Sequence, residues 1–250
     1  MFASFSIPLK NLKIIAVVAF LAFFSALIVY TNINPILPAF KYKDNTETFY
    51  KGKSGVALTF DIGWGDENAT KILDVLEKEE VREATFFLSG RWVERHQHIV
   101  ERIIEQKYDI GVLGYDYKDY TELSRKEIVR DVSKAIEVIN KLGVKQISLA
   151  RTPTGDFDKE TMKIMNQMGL TLVRWSIDTK DWQNPGTKKI IGSRSHVEDG
   201  DIILLHASDS ALQTAKALPK IINTIEEKNL ELSSVSKMLS GGNAKTTTIN

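Results

Sequence analysis

Cysteine is absent from the 250-residue chain, which excludes disulfide staples and thiolate zinc centres and is neutral about compartment. Charge of either sign in excess is absent too. The formal net charge is +1, and no Lys/Arg cluster interleaved with aromatics occurs, so no electrostatic footprint for nucleic acid is present. No internal repeat is evident. What is present is a 43% hydrophobic chain, enough for one sizeable core and about the length that an α/β barrel uses as a single domain.

Long hydrophobic runs are also missing, with one exception. Lys10 and Lys13 precede Ile14 to Tyr30, seventeen residues without a charge, which a helix can carry across most of a bilayer. The flanking lysines set an N-in, C-out orientation, and no A-x-A-like cleavage site stands out before Tyr30. The expectation is a cytoplasmic stub and an uncleaved signal anchor over residues 1–30, a polar linker over 31–53, and an extracytoplasmic domain over 54–240. The Gly/Thr-rich residues 241–250 are expected to form a disordered tail.

From Gly55 onward, strand-like and helix-like segments alternate. Strands are expected at Val56–Phe60, Ala84–Leu88, Asp109–Leu113, Ile147–Ala150, Leu170–Ser176, Asp201–Leu205 and Leu230–Val235. Helices are expected at Asp66–Lys78 with Asp66 as cap, then Arg91–Gln106, Ser124–Leu142, Asp158–Met168, a stretch ending near Val197, and Ala211–Lys228. This alternation implies a parallel sheet with right-handed crossovers. Seven units suggest a closed or nearly closed (β/α)7 barrel.

A parallel barrel brings the residues just past its strands to one face. Here they are Asp61, Leu113-Gly-Tyr-Asp-Tyr117, Arg151-Thr-Pro-Thr-Gly155, Asp178-Thr-Lys-Asp-Trp182 and Leu205-His206-Ala-Ser208. A carboxylate base, a histidine acid, and an arginine and an aspartate to orient them make a hydrolytic inventory. Trp64 follows the Asp61 strand, where an aromatic ring either stacks on a sugar or closes the barrel mouth.

The order of these motifs resembles the polysaccharide deacetylases of the NodB-homology class, carbohydrate esterase family four. TFDIG at Thr59–Gly63 resembles the first family motif, normally TFDDG, and RTPTG at Arg151–Gly155 the third. DTKDW at Asp178–Trp182 and LLHAS at Leu204–Ser208 resemble the fourth and fifth. The resemblance implies a distorted TIM-like barrel, with Asp61 as general base, His206 as general acid, Arg151 holding Asp61 and Asp178 tuning His206. It also implies that Trp182 and Leu205 wall the acetyl pocket; Tyr117 and Pro153 are further candidates for substrate contact, and the Tyr117 or Tyr115 hydroxyl or a loop amide is available to stabilise an oxyanion.

The departures concern the metal of the family. Its second aspartate falls on Ile62 and its two histidine ligands on Leu113 and Tyr117; Ile and Leu carry no donor atom, and a neutral phenol is a poor ligand. Asp66, Asp116 and Asp119 are the carboxylates available for an all-oxygen rescue, but no metal or other cofactor is expected. The combination of TFDIGWGD with IGVLGYDY most resembles the sporulation-associated, membrane-anchored PdaB-type branch. Two readings follow: a metal-independent N-deacetylase acting on peptidoglycan of the spore cortex, or an inactive glycan-binding pseudoenzyme supporting the cortex. The expected partners are N-acetylated glycan or peptidoglycan and the membrane, not nucleic acid.

Overall fold

The strand Val56–Ile62, β2, is buried at every position, because neighbouring strands flank it and both of its faces are covered. The structure, a computed structural model, describes residues 20–23, 25, 47–192, 196–241 and 245–248. The chain divides into residues 1–44 and residues 45–250. In the first unit residues 20–23 and 25 are helical; the rest of the expected membrane segment, and most of the expected linker, lie outside the described residues. Among the described residues no helix is long and apolar enough to cross a membrane.

In the second unit, strand β1 (Glu47–Lys51) precedes β2. Then come α1 (Glu67–Lys78), β3 (Thr85–Leu88), α2 (Gly90–Arg95), α3 (Gln97–Glu105), β4 (Asp109–Val112), α4 (Arg125–Lys141), β5 (Leu149–Ala150), α5 (Lys159–Gln167) and β6 (Thr171–Leu172). β7 (Ile177–Asp178), α6 (Thr187–Gly192), β8 (Ile202–His206), α7 (Thr214–Glu227), β9 (Leu232–Ser233), α8 (Val235–Ser240) and β10 (Lys245–Thr248) complete it. The parallel sheet runs in the order β6-β5-β4-β3-β2-β8-β7, with β9 on the start of β2.

The period-two alternation of the strands divides the core. Val56, Leu58, Phe60 and Ile62 face the helices and join one cluster with Ile72, Leu76, Phe86, Trp92 and Ile221. Ala57 faces the concave side and joins Phe49, Phe87, Leu113, Leu149, Val173 and Ile202. Gly111 lies beside Phe87 in register, and a Cβ on it would stand 2.6 Å from the Phe87 ring and 3.1 Å from Leu149 Cβ. The glycine lets that ring lie across the barrel interior.

Several expectations are corrected. The segment read as the end of a linker contains β1: Phe49 bridges Val173 and Lys51 bridges Asp201, and Phe49 is buried with the barrel interior. The tail contains β10, which pairs antiparallel with β1. The strand expected over 170–176 is two strands, β6 and β7, that do not pair with each other. The sheet is therefore a curled, open parallel barrel, with β1 bridging the residue after β6 and the residue before β8, where a closed or nearly closed (β/α)7 barrel was expected. The helix expected over 91–106 also breaks at His96, whose φ of −128° leaves the helical region.

Gly111→Ala will overpack the interior and lower stability by about 1–3 kcal/mol. Chemical denaturation of the variant against the wild type measures the loss, and an unchanged midpoint would refute the packing described for Phe87.

Candidate active site

Asp61 lies one residue before the end of β2, on its concave face, and His206 ends β8. The two are register partners on adjacent parallel strands, so the sheet itself sets their separation. Arg151, immediately after β5, reaches across the interior to Asp61. Its Nη1 donates to Asp61 Oδ1 at 2.7 Å and to Thr59 Oγ1 at 3.0 Å, and its other nitrogens donate to the carbonyls of Val173 (3.3 Å) and Arg174 (3.2 Å). The guanidinium carbon lies 4.1 Å from the centre of the Phe87 ring, the ring that Gly111 accommodates. Arg151 is 1% exposed and Asp61 4%.

His206 is braced from behind by Asp181. The Nδ1 atom lies 2.7 Å from Asp181 Oδ1, and Asp181 Oδ2 accepts from the His206 amide (2.7 Å) and the Thr214 hydroxyl (2.6 Å). This carboxylate is fully buried. Holding Nδ1 leaves Nε2 as the nitrogen that faces outward. Asp61 Oδ2 likewise makes no hydrogen bond among the described residues, because Arg151 occupies Oδ1.

Interlocked loops keep the two strand ends together. The Gly63 amide donates to Ser208 Oγ (2.9 Å). The Asp209 carboxylate accepts from the amides of Asp66 (3.2 Å) and Asn68 (2.8 Å), and the Asn68 side chain donates to the carbonyls of Ser208 (3.2 Å) and Ala211 (3.0 Å). The cap of α1 is thus Asp209 from a distant loop. Asp66, expected to cap it, occupies the position but makes no side-chain cap bond.

Two site assignments are corrected. Asp178 does not touch His206: its Oδ1 accepts from the Lys180 amide at 2.9 Å in a local turn, an arrangement to which short Asx side chains are suited. The partner of His206 is Asp181, three residues on, because the turn through Lys180 (φ +51°) carries that residue inward. Leu205 does not face the site either. Paired with Phe60, it belongs to the helix-facing core; Leu204, opposite Thr59, shares the face of His206.

The remaining expected residues sit around the mouth or beneath it. Trp182 is 49% exposed and Trp64 56%. Tyr117 is 42% exposed, with its ring against Gly63. Pro153 is buried, and a Cβ on Gly114 would meet its ring at 3.0 Å. Sequence reasoning missed Asp131, whose carboxylate accepts from the amides of Tyr115 (2.7 Å) and Asp116 (3.0 Å) and the Tyr120 hydroxyl (2.7 Å). It fixes the loop that presents Tyr117, and its mid-helix position, sixteen residues from Tyr115, hid it.

At the positions that match the metal ligands of the family, the residues do not fit a divalent cation. Ile62 packs in the helix-facing core and Leu113 in the barrel interior. The Tyr117 phenol is pushed up to about 12 by burial and by the charge of Asp61, so it stays neutral. Of the carboxylates considered for a rescue, Asp116 pairs with Arg91 and Lys118 and Asp119 caps the turn at Thr121, and Asp66 joins no group of potential ligands among the described residues. Among the described residues no group of three His, Cys, Asp or Glu is arranged to hold a metal.

Burial raises the Asp61 carboxyl above its ordinary value, against the opposing charges of Arg151 and His206. For His206, burial works against the charged form, but the Asp181 hydrogen bond and the charges of Asp181 and Asp61 outweigh it and raise the imidazole. A carboxylate made more basic and an imidazole made easier to protonate are suited to a general base and a general acid.

Residues 49–173 match the family profile described as Polysaccharide deacetylase. The uncharacterized protein YlxY of Bacillus subtilis (strain 168) is 31% identical over 85% of this chain and 66% of its own length. A peptidoglycan-N-acetylglucosamine deacetylase of Bacillus cereus is 32% identical over 70% of this chain and 65% of its own. The chain thus spans slightly less than two thirds of each relative. Among solved structures, wild-type BA3943, a CE4 family pseudoenzyme from Bacillus anthracis, superposes with a TM-score of 0.71 at 28% identity, covering 76% of this chain and 68% of that one.

Asp181→Asn removes the charge that raises His206. The wild-type imidazole will titrate above the ordinary 6.5 and the variant lower, as followed by NMR of the ring protons. Since the folded value exceeds the unfolded one, the pair stabilises the fold fully below pH 6.5, and that contribution fades as pH rises through the folded value. A His206 titration that is unmoved by Asp181→Asn would refute the pairing.

Proposed function

We propose, from the premise that this chain belongs to the polysaccharide deacetylase family, that it is a hydrolase removing N-acetyl groups from peptidoglycan sugars without the usual metal of the family. The observation that carries this reading is the pairing of Asp61 and His206 across β2 and β8, each braced from behind by a dedicated charged partner. A binding pocket alone has no need of an ion-paired base and a carboxylate-bound imidazole side by side.

In the proposed reaction a water molecule gives its proton to Asp61 Oδ2, and its oxygen attacks the acetamide carbonyl carbon. The C=O π pair moves onto oxygen as the new C–O bond forms. On collapse the C–N bond breaks, and His206 Nε2 gives its proton to the leaving nitrogen. Acetic acid, which ionises to acetate in water, and a free amino sugar result, and the proton on Asp61 returns to His206 through solvent to close the cycle. Arg151 holds Oδ1 so that only Oδ2 accepts, and Asp181 keeps the acidic proton of the imidazole on the outward nitrogen. Without a Lewis acid the rate falls by about 10³-fold or more relative to metal-loaded relatives.

The finer assignment rests on the sequence. The PdaB-type motif combination points to the spore cortex, and the run Ile14–Tyr30 to a single-pass anchor with the barrel outside the cytoplasm. A second reading, a glycan-binding pseudoenzyme, is favoured by one observation: the structural similarity to the CE4 family pseudoenzyme, together with the apolar side chains at 62 and 113.

Acetate release from N-acetylated peptidoglycan by the full-length protein separates the two. Wild type is expected to exceed Asp61→Asn and His206→Ala by about 10²–10⁴-fold, with EDTA without effect. The release should rise with pH as Asp61 ionises, above the ordinary carboxylate range, and fall as the raised His206 loses its proton. Inhibition by EDTA that added metal reverses would refute metal independence. Saturable glycan binding, with release no higher than from Asp61→Asn, would establish the pseudoenzyme.

A further inference from the structure

Hydrolysis of an amide needs a donor for the oxygen that becomes negative, in addition to an acid and a base. In this site neither Ile62 nor Leu113 offers one, and Arg151, the nearest cation, spends Nη1 on Asp61 and Thr59 and its other nitrogens on backbone carbonyls. His206 has a proton to give, but that proton is needed at the nitrogen.

The tyrosines near the site are not equivalent. Tyr115 is buried, and its hydroxyl donates to Glu94 Oε2 at 2.8 Å; Tyr120 is buried, and its hydroxyl donates to Asp131 at 2.7 Å. The Tyr117 hydroxyl makes no hydrogen bond among the described residues, yet it lies where burial and the charge of Asp61 act on it. Its backbone is left-handed at φ +56°, a conformation that a bulky residue adopts only when its surroundings enforce it. The surroundings do so here. Asp131 holds the amides of Tyr115 and Asp116, and the Tyr115 carbonyl accepts from Ser89 Oγ (2.9 Å) and the Arg91 amide (3.2 Å).

The ring is seated on Gly63, two residues beyond Asp61. A Cβ at Gly63 would stand 2.7 and 2.8 Å from two Tyr117 ring carbons, so the seat exists only because residue 63 is glycine. Gly63 has no positive φ; the glycine there serves the ring, not the turn.

We propose that the Tyr117 hydroxyl donates the hydrogen bond that stabilises the tetrahedral oxyanion, at the position where relatives of the family place a metal ligand. The assignment rests on the hydrolase reading above. As the water oxygen bonds to the carbonyl carbon, the carbonyl oxygen gains the π pair and accepts from the Tyr117 O–H. On collapse the pair re-forms C=O and the contact weakens. Tyr117 keeps its proton throughout, so the cycle needs no further proton acceptor. A phenol that stays protonated across the working pH range is a fixed donor, and an oxyanion-hole donor in a desolvated site contributes about 10²–10³-fold to rate.

The test measures kcat and KM for acetate release from N-acetylated glycan oligomers by full-length wild type, Asp61→Asn, Tyr117→Phe and Gly63→Ala. Expected is a fall of about 10²–10³-fold in kcat for Tyr117→Phe, with KM within about twofold and the pH profile unmoved, since both titrating groups remain. Gly63→Ala, which retains the phenol but displaces its ring, is expected to lose kcat in the same way; thermal denaturation checks that both variants fold. Tyr117→Phe at wild-type kcat, or a loss carried entirely by KM, would overturn the assignment and leave the hydrolase reading intact. Wild-type release no higher than Asp61→Asn would overturn both.

Discussion

The ion pair between Arg151 and Asp61 is the constraint on which the rest of the site depends. Both groups are almost wholly removed from water, where an unpaired charge costs several kcal/mol. The pair is tolerated because each guanidinium nitrogen makes at least one hydrogen bond, the others going to Thr59 and two carbonyls, and because Phe87 presents its ring face to the cation. Each of those supports has its own requirement: Phe87 has room for its ring only because residue 111 is glycine, and Val173, whose carbonyl accepts from Arg151, is bridged to Phe49 of β1. A chain of packing thus runs from an edge strand to one carboxylate oxygen. Its product is an aspartate with one oxygen occupied and one open.

His206 follows the same logic on the neighbouring strand. Parallel pairing of β2 with β8 brings it beside Asp61, and a buried carboxylate fixes which nitrogen faces outward. The loops after the two strands are tied together through Ser208, Asp209 and Asn68. Asp61 and His206 therefore sit on paired strands, whereas the exposed rings of Trp64 and Trp182 sit on the connections that follow strands. Rigid strands beneath and aromatic loops above suit an active centre that does its chemistry at fixed atoms and meets its ligand with adaptable surface.

Much of this was legible in the sequence. Strong β-propensity in VALTF and LLH, and carboxylate or imidazole at the strand ends, sufficed to place Asp61, Arg151 and His206 on one face. What failed did so where sequence spacing carries no information about turns. Asp178 and Asp181 are both plausible partners for His206; only the left-handed backbone at Lys180 sends the second inward and leaves the first to cap a local turn. Leu204 and Leu205 are the same residue type on opposite faces, and strand register decides between them. β1 and β10 were hidden because a short polar segment such as ETFYK or KTTT becomes a strand only when a partner edge is available. Asp131 and Asp209 act across loops from distant helical and turn positions, which no local pattern reports.

At the three positions that match the family's metal ligands, the side chains present are fitted to the structure around them. A metal site concentrates like-charged or polar donors that are unstable when the ion is missing, since each is then a buried group without a partner. Ile62 and Leu113 remove that difficulty outright: both are fully buried and add apolar area to the helix-facing core and to the barrel interior. The change at 117 is of a different kind. A phenol on a left-handed residue is not a packing solution, because its ring is partly exposed and its hydroxyl makes no hydrogen bond among the described residues. Ile62 and Leu113 lie in the core, whereas the Tyr117 ring is seated on Gly63 and its loop is held by Asp131. The Asp61 ion pair, which would be costly to retain in a mere scaffold, is retained beside it. The apolar side chains at 62 and 113 and the charged frame of Arg151, Asp61, Asp181 and His206 are therefore separate features of the same barrel.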